Sequence, residues 1–321
     1  MLETESYSIQ LSEVDWNDDS CLITYGPLPD KLILSIRAVG LIQPPLLQHK
    51  KSGLFRIVCG SRRLAVCRKF DIDPSPVRVV SQTLPHWTCL RMAIYDNIAH
   101  RIMNPVEKSL ILTKLGEFLQ DTQLTAEYMP LLDLQPNAKL LGRYLNLLNL
   151  EKPLLNSLAQ GTLNERIAFA LAALNHVDRL ALFQFFDEFP FSVSVQKEII
   201  ETVGEIARRD NLSLTQVLDS KEIRQLREAQ EGPLRQRAQE MRKELQITRA
   251  PRLTARREKF ARETRELGLP SGVRLVPPPY FEGPRWSLEC TFERADELAE
   301  RLREVAHLAD QPGFQRLMET K

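Results

Sequence analysis

Cys59-Gly60-Ser61-Arg62-Arg63 is the stretch on which the fold turns. It lies between Leu54 to Val58, an apolar run that reads as a strand, and Arg62 to Phe70, which reads as a helix with Leu64, Ala65 and Cys67 available to pack. A strand–glycine–helix junction has three chemical consequences. The glycine lets the backbone come close to a ligand. The free amides of the first helical turn, reinforced by the helix dipole, favour an anion. Arg62 and Arg63 add two fork-shaped donors suited to phosphate oxygens. Such junctions are common, so these five residues need further motifs around them before they specify a function.

Upstream, Lys31 to Val39 predicts a short amphipathic helix with Leu32, Ile36 and Val39 on one face, stopped by Gly40. Leu46-Leu47-Gln48-His49 predicts a strand and Lys51-Ser52-Gly53 a turn. Residues 1–30 are acidic and irregular, with Asp15, Asp18, Asp19 and Asp30. Downstream, Val77 to Ser81 predicts a third strand, bounded by Pro74 and Pro76.

Two further motifs flank the junction in order. Gly40-Leu41-Ile42-Gln43-Pro44 precedes it, and Asp96-Asn97-Ile98-Ala99-His100-Arg101 follows, leading into Asn104-Pro105-Val106-Glu107. Asp96 and Asn97 offer the hard oxygens that Mg²⁺ takes beside phosphate and water. Arg101 stands one helical turn beyond Asn97 and shares its face. The plain alternative for an Asp-Asn pair near a helix end is a cap or a solvated face.

The ordered set resembles the ParB/sulfiredoxin superfamily, in its ParB-like branch. That branch shows G-x-x-Q-P, then G-E-R-R-x-x-A, then E-N-x-x-R followed by N-P-x-E. The resemblance is good over residues 8–120 and weakens to about 175. It implies a domain that binds CTP with Mg²⁺ in a DNA-associated homodimer. Such a protein is a DNA clamp or a regulator of transcription or chromosome partition, working beside a partner ATPase in a bacterial cytoplasm, on the nucleoid. Carried over residue by residue, Gln43, Gly60, Ser61, Arg62, Arg63 and Arg101 hold the nucleotide and its phosphates, and Asp96 and Asn97 sit at the metal. Three places depart from the pattern, one of them Gln48-His49, where a basic residue often follows the strand after Gln-Pro. The Glu of the G-E-R-R box is Ser61, and the Glu before Asn97 is the shorter Asp96. A lost carboxylate removes a group for orienting water or metal, so CTPase activity is expected to be weak at most. The sulfiredoxin branch needs a nucleophilic cysteine where this chain has Ser61. Cys59, at the end of a strand, is expected to be an inert core thiol.

From about residue 86 to 218 the pattern is helical. Leu124–Leu132, then Asp133-Leu134-Gln135, then Pro136–Leu148 has the layout of a helix-turn-helix. Its second helix is expected to present Asn137, Lys139, Arg143 and Asn146 outward, residue types that meet base edges and phosphates. Leu140, Leu141, Tyr144, Leu145 and Leu148 are expected to pack inward. Pro130 should bend the first helix, and Asp133 stands where a turn usually has a smaller residue, so the unit reads as degenerate.

Residues 221–267 are rich in Arg and Lys interleaved with Glu, a solvated helical pattern broken at Gly232-Pro233 and Ala250-Pro251. Val273–Val276 and the alternating Trp286–Phe292 predict strands, the second half-buried, and Asp296–Leu308 an amphipathic helix. The layout is similar to the dimerisation unit that ends ParB proteins. The fold class expected is α+β. It comprises a mixed α/β N-terminal domain (1–108), a helical domain (109–220), a basic linker (221–267) and a C-terminal strand–helix unit (268–321).

Composition narrows the classes. The chain has 321 residues and a net charge of +1, so charge alone announces no nucleic-acid binder. Five scattered cysteines form no CxxC pair, which argues against a zinc site and against a disulfide framework. No secretory signal and no membrane-length apolar run is present, which predicts a cytoplasmic protein. Two rival readings stay open: a non-enzymatic adaptor that keeps the fold as a scaffold, and a phosphotransferase or nuclease on the same fold. The latter lacks an added carboxylate cluster for two-metal chemistry.

Overall fold

The computed structural model describes residues 5–74, 76–229, 232–309 and 312–314. Four short strands, β1 (Glu5–Tyr7), β2 (Leu46–His49), β3 (Phe55–Cys59) and β4 (Val77–Val80), form one sheet in the order β1-β4-β2-β3. β2 and β3 pair antiparallel across the Lys51-Ser52-Gly53 turn, while β2 and β4 run parallel, with Leu47 opposite Val79. Parallel neighbours need a crossover, and α2 (Ser61–Lys69) supplies it between β3 and β4. The three expected strands form within one residue of their expected bounds, at Leu46–His49, Phe55–Cys59 and Val77–Val80. β1 was not expected, because three residues are too few to show a period.

Helix α2 works in two directions. Leu64 joins Leu47, Phe55, Val77 and Val79 in the core under the sheet. Val66 and Cys67, on its other side, meet Ile36 of α1 (Asp30–Val39). Both faces of α2 are thus committed to packing, which fixes where its first turn points. α3 (His86–His100) buries Cys89, Leu90, Ala93 and Ile94 and packs on β3. α4 (Pro105–Leu115) starts with proline at its first turn and a full capping box. Asn104 accepts from the Glu107 amide, and Glu107 accepts from the Asn104 amide.

The acidic loop before α1 is pinned to the β2–β3 hairpin. Lys50 lies 2.6 Å from Asp15 and 2.7 Å from Asp18, and Arg56 lies 2.8 Å from Asp18. Burial pushes the Asp18 carboxyl up, but hydrogen bonds from Lys50, Ser20 and Arg56 outweigh it and hold the pKa well below the ordinary value of 3.8. A depressed folded-state pKa stabilises the fold above the unfolded pKa, and that contribution is lost as pH falls through the folded value. Acid titration of stability is therefore expected to show a loss beginning below about pH 4 that Asp18→Asn removes. Identical acid profiles for the two proteins would contradict this.

The chain divides into two compact units: one runs to Glu188 and takes in Ser192–Lys197, and the other holds Phe189–Phe191 and the residues from Glu198 onward. In the first unit, the helical region departs from the expected helix-turn-helix in detail. Its first helix is split into Asp121–Gln123, a π-turn Leu124–Tyr128 and Met129–Leu131. The Met129 amide reaches back to the Leu124 carbonyl, so the ladder widens by one residue just ahead of Pro130, which cannot donate. Asp133 takes φ 55° in the turn, a left-handed conformation that aspartate tolerates better than most residues. The second helix is Ala138–Leu147, so Pro136 precedes the cap instead of opening the helix. Leu141, Tyr144 and Leu147 are buried, while Leu140, Leu145 and Leu148 are only half-buried.

In the second unit, the basic stretch forms Lys221–Glu228, Leu234–Arg249 and Pro251–Leu267, broken at the two expected glycine and alanine–proline steps. Arg242 and Arg249 pair with Glu198 and Glu205. β5 (Val273–Val276) and β6 (Ser287–Cys290) form an antiparallel hairpin. β6 is mostly exposed, not half-buried as expected, with Leu288 and Phe292 open to solvent. A two-stranded ribbon has no second layer to bury its outer face. Among the described residues no helix is long and apolar enough to cross a membrane.

Candidate functional site

Gly60 occupies the left-handed region, at φ 85° and ψ 24°, and leads directly into α2. No side chain caps the start of that helix. A Cβ at position 60 would lie 2.9 Å from Pro45 Cβ and 2.9 Å from the Arg63 guanidinium. The glycine is thus required twice, for its dihedral and for the close approach of the Pro45 ring and Arg63.

From this junction the predicted residues separate into two groups. Gln43, Arg63 and Asp96 line one cleft of about 330 Å³, together with Cys59, Arg78 and His100. Arg63 Nη1 donates to the Gln43 carbonyl at 2.6 Å, closing one wall. Burial, with Asp96 nearby, pushes the Cys59 thiol up to about 12, against an opposing pull from Arg63. A thiol held that high is not a nucleophile at neutral pH, in keeping with the inert role expected of it.

Arg62, Arg101 and Asn97 gather elsewhere, around Glu107. This carboxylate has no exposed surface. Its Oε1 accepts from Arg62 Nη2 at 2.9 Å and from the Tyr25 amide at 3.0 Å. Its Oε2 accepts from Arg101 Nη1 at 2.5 Å and from the Asn104 amide at 3.1 Å. Four donors fill the roughly four lone-pair positions of a carboxylate. Two guanidiniums share a single negative charge, leaving a local surplus of positive charge at the start of α2. Burial, and then the Arg101 charge, lower the Arg62 pKa, while Glu107 raises it. Arg101 Nη2 is sealed from solvent and has no hydrogen-bond partner.

Asp96 and Asn97 do not converge. Asp96 lines the cleft, whereas Asn97 Oδ1 accepts from Arg101 Nε at 3.0 Å and its amide nitrogen donates to the Ala93 carbonyl. Successive helical residues point about 100° apart, so one neighbour faces the ligand side and the other braces an arginine. Among the described residues no group of three or more His, Cys, Asp or Glu is gathered to hold a metal ion. Ser61 Oγ lies 2.9 Å from Thr24 Oγ1. Glu107, Thr24, Arg78 and His100 were not picked out individually as site residues. The N3 position of an Asn-Pro-x-Glu cap was the available signal for Glu107, and it announced a cap.

Of the four residues assigned to DNA, Lys139 and Arg143 are exposed one turn apart, with Arg143 over the Phe169 ring at 5.9 Å. Asn137 caps the helix by accepting from the Leu140 amide. Asn146 is half-buried and donates to the Ala172 carbonyl, so it turns into the fold and not outward.

Residues 28–98 match the ParB N-terminal domain family. The chain is similar to a nucleoid occlusion protein of Geobacillus kaustophilus, 29% identical over 145 residues, which are 45% of this chain and 50% of the relative. It is also similar to a probable chromosome-partitioning protein ParB of Neisseria meningitidis, 27% identical over 150 residues, 47% of this chain and 50% of the relative. The chain thus spans about half the length of these relatives. Among solved structures it is similar to C-terminally truncated ParB of Caulobacter crescentus complexed to the centromeric parS site. That match has 18% identity and a TM-score of 0.35, covering 61% of this chain and 98% of the other. The same protein complexed with CTP-gamma-S matches at 23% identity and a TM-score of 0.27, covering 56% and 97%.

Proposed function

We propose that this chain, ParB-like by the N-terminal domain it carries, binds a nucleoside triphosphate at the start of α2 and associates with DNA as a clamp or as a regulator of partition or transcription. The observation that supports the first half most directly is the pair of guanidiniums on one saturated carboxylate. Arg62 and Arg101 together exceed the charge of Glu107, and the uncapped amides of α2 add to the surplus. A polyphosphate supplies the missing negative charge. CTP is the nucleotide that the resemblance implies. Arg63, beside Gln43, and Asp96 then border the bound nucleotide. A Mg²⁺ there would take Asp96 as its carboxylate ligand and complete its shell from phosphate and water.

Lys139 and Arg143 are proposed to meet DNA phosphates. Asn146, held by its own fold, is not proposed to read a base. With Ser61 in place of a glutamate, the site is proposed to bind without efficient turnover. A homodimer formed through the C-terminal unit, a partner ATPase and a nucleoid location belong to the same proposal.

Calorimetric titration of the full chain with CTP and Mg²⁺ tests it. Saturable binding is expected, and Arg63→Ala is expected to weaken it by about tenfold or more, the scale of a lost charge-assisted hydrogen bond. No binding by the unaltered protein to any of the four triphosphates would sink the nucleotide reading. It would leave the adaptor.

A further inference from the structure

We infer that Thr24 is a ligand-orienting residue of this same site, presenting with Ser61 a single hydroxyl hydrogen to the bound phosphate. The inference rests on the nucleotide reading above. Thr24 lies before α1, outside every motif named in the sequence, and reaches the site only through the tertiary fold. Its Oγ1 stands 2.9 Å from Ser61 Oγ, on the first residue of α2. When two hydroxyls form one hydrogen bond, one hydrogen is used between them and the other stays available. The pair therefore offers one O–H donor beside the open amides of the helix start. A carboxylate at position 61 would instead place a negative charge there.

The strap that carries Thr24 is held tightly. On one side Ile23 is buried. On the other, the Tyr25 amide donates to Glu107 Oε1 at 3.0 Å, and the Tyr25 carbonyl accepts from Asn104 Nδ2 at 3.0 Å. The Tyr25 hydroxyl donates to Asn156 at 2.9 Å. The carboxylate that places Arg62 and Arg101 thus also places the backbone next to Thr24. The hydroxyl pair and the two guanidiniums are parts of one framework, in which Arg101 Nη2 has no partner of its own. A donor held in place before the ligand arrives costs little ordering when it binds.

The test is titration of the full chain with CTP–Mg²⁺ and, separately, with inorganic triphosphate, comparing the unaltered protein, Thr24→Val and Thr24→Ser. Thr24→Val keeps the shape and removes the hydroxyl. Ser61 keeps its own hydroxyl hydrogen in Thr24→Val but loses the partner that orients it, so affinity for both ligands is expected to fall about fivefold, with Thr24→Ser within about twofold of the unaltered protein. Thr24→Val binding as tightly as the unaltered protein would overturn the inference while leaving the nucleotide reading intact. Thr24→Ser losing as much as Thr24→Val would overturn it too, since a retained hydroxyl would then fail to restore binding. If the unaltered protein binds neither ligand, the nucleotide reading fails and this inference fails with it.

Discussion

Glu107→Gln is expected to lower the unfolding free energy by about 2–4 kcal/mol, near the lower part of the range for breaking a buried ion pair. The substitution preserves volume and shape. It removes the one charge that Arg62 and Arg101 share. It also puts an NH₂ group where a carboxylate oxygen now accepts two hydrogens, so two of the four present donors lose their acceptor. The magnitude is held down because the two arginine side chains are 25% and 20% exposed, and water can take over part of their solvation. Urea unfolding measures it. A change under about 0.5 kcal/mol, the size of an ordinary surface substitution, would show that the arginines need no counter-charge. Affinity for an anion need not fall in step, because Glu107→Gln increases the positive charge at the start of α2. The two readouts therefore separate the structural role of this residue from the site's appetite for anions.

Gly60→Ala is expected to cost about 2–3 kcal/mol and to abolish nucleotide binding. About 1–2 kcal/mol follows from forcing an L-residue into the left-handed region at φ 85°. The remainder comes from the new Cβ, 2.9 Å from Pro45 Cβ, a ring atom that cannot rotate away. The Arg63 guanidinium can swing aside, but only by giving up the Gln43 carbonyl and opening the wall of the cleft. Gly142→Ala is the control. Its Cβ would meet nothing within 4 Å, and as a helix-interior site it is expected to gain up to about 1 kcal/mol. Paired thermal melts and CTP titrations check both. Gly60→Ala melting with the unaltered protein would contradict the backbone account, and unchanged binding would contradict the site.

Much of the fold was legible because its signals are local. Val77 to Val80 alternates and is β-branched, Lys51-Ser52-Gly53 turns, and Gly40, Gly232-Pro233 and Ala250-Pro251 end helices where the chemistry says they should. The segment expected to form a helix-turn-helix was less legible. A leucine-rich helix such as Ala138–Leu147 has more apolar positions than its neighbours can cover, so the pattern alone did not separate buried Leu147 from half-buried Leu140, Leu145 and Leu148. Pro130 was expected to bend its helix. The chain answered with a π-turn, a local rearrangement for which sequence period carries no mark.

The candidate site divides the same way. That a glycine, a helix start and paired arginines stand together follows from the order Cys59-Gly60-Ser61-Arg62-Arg63 by itself, because a strand, a left-handed residue and a helix N-terminus are properties of consecutive residues. Which arginine faces which partner does not. Arg63 turns to the Gln43 carbonyl and Arg62 to Glu107, 45 residues away, while the Tyr25 amide reaches the same carboxylate across 82 residues. Those assignments depend on where the strap before α1, the helix α2 and the cap of α4 cross in space. The crossing is set by the burial of Leu64, Val66 and Cys67 on two sides of α2. A buried carboxylate then collects whatever donors the crossing brings within reach, because leaving them unpaired would cost more than any local preference could recover.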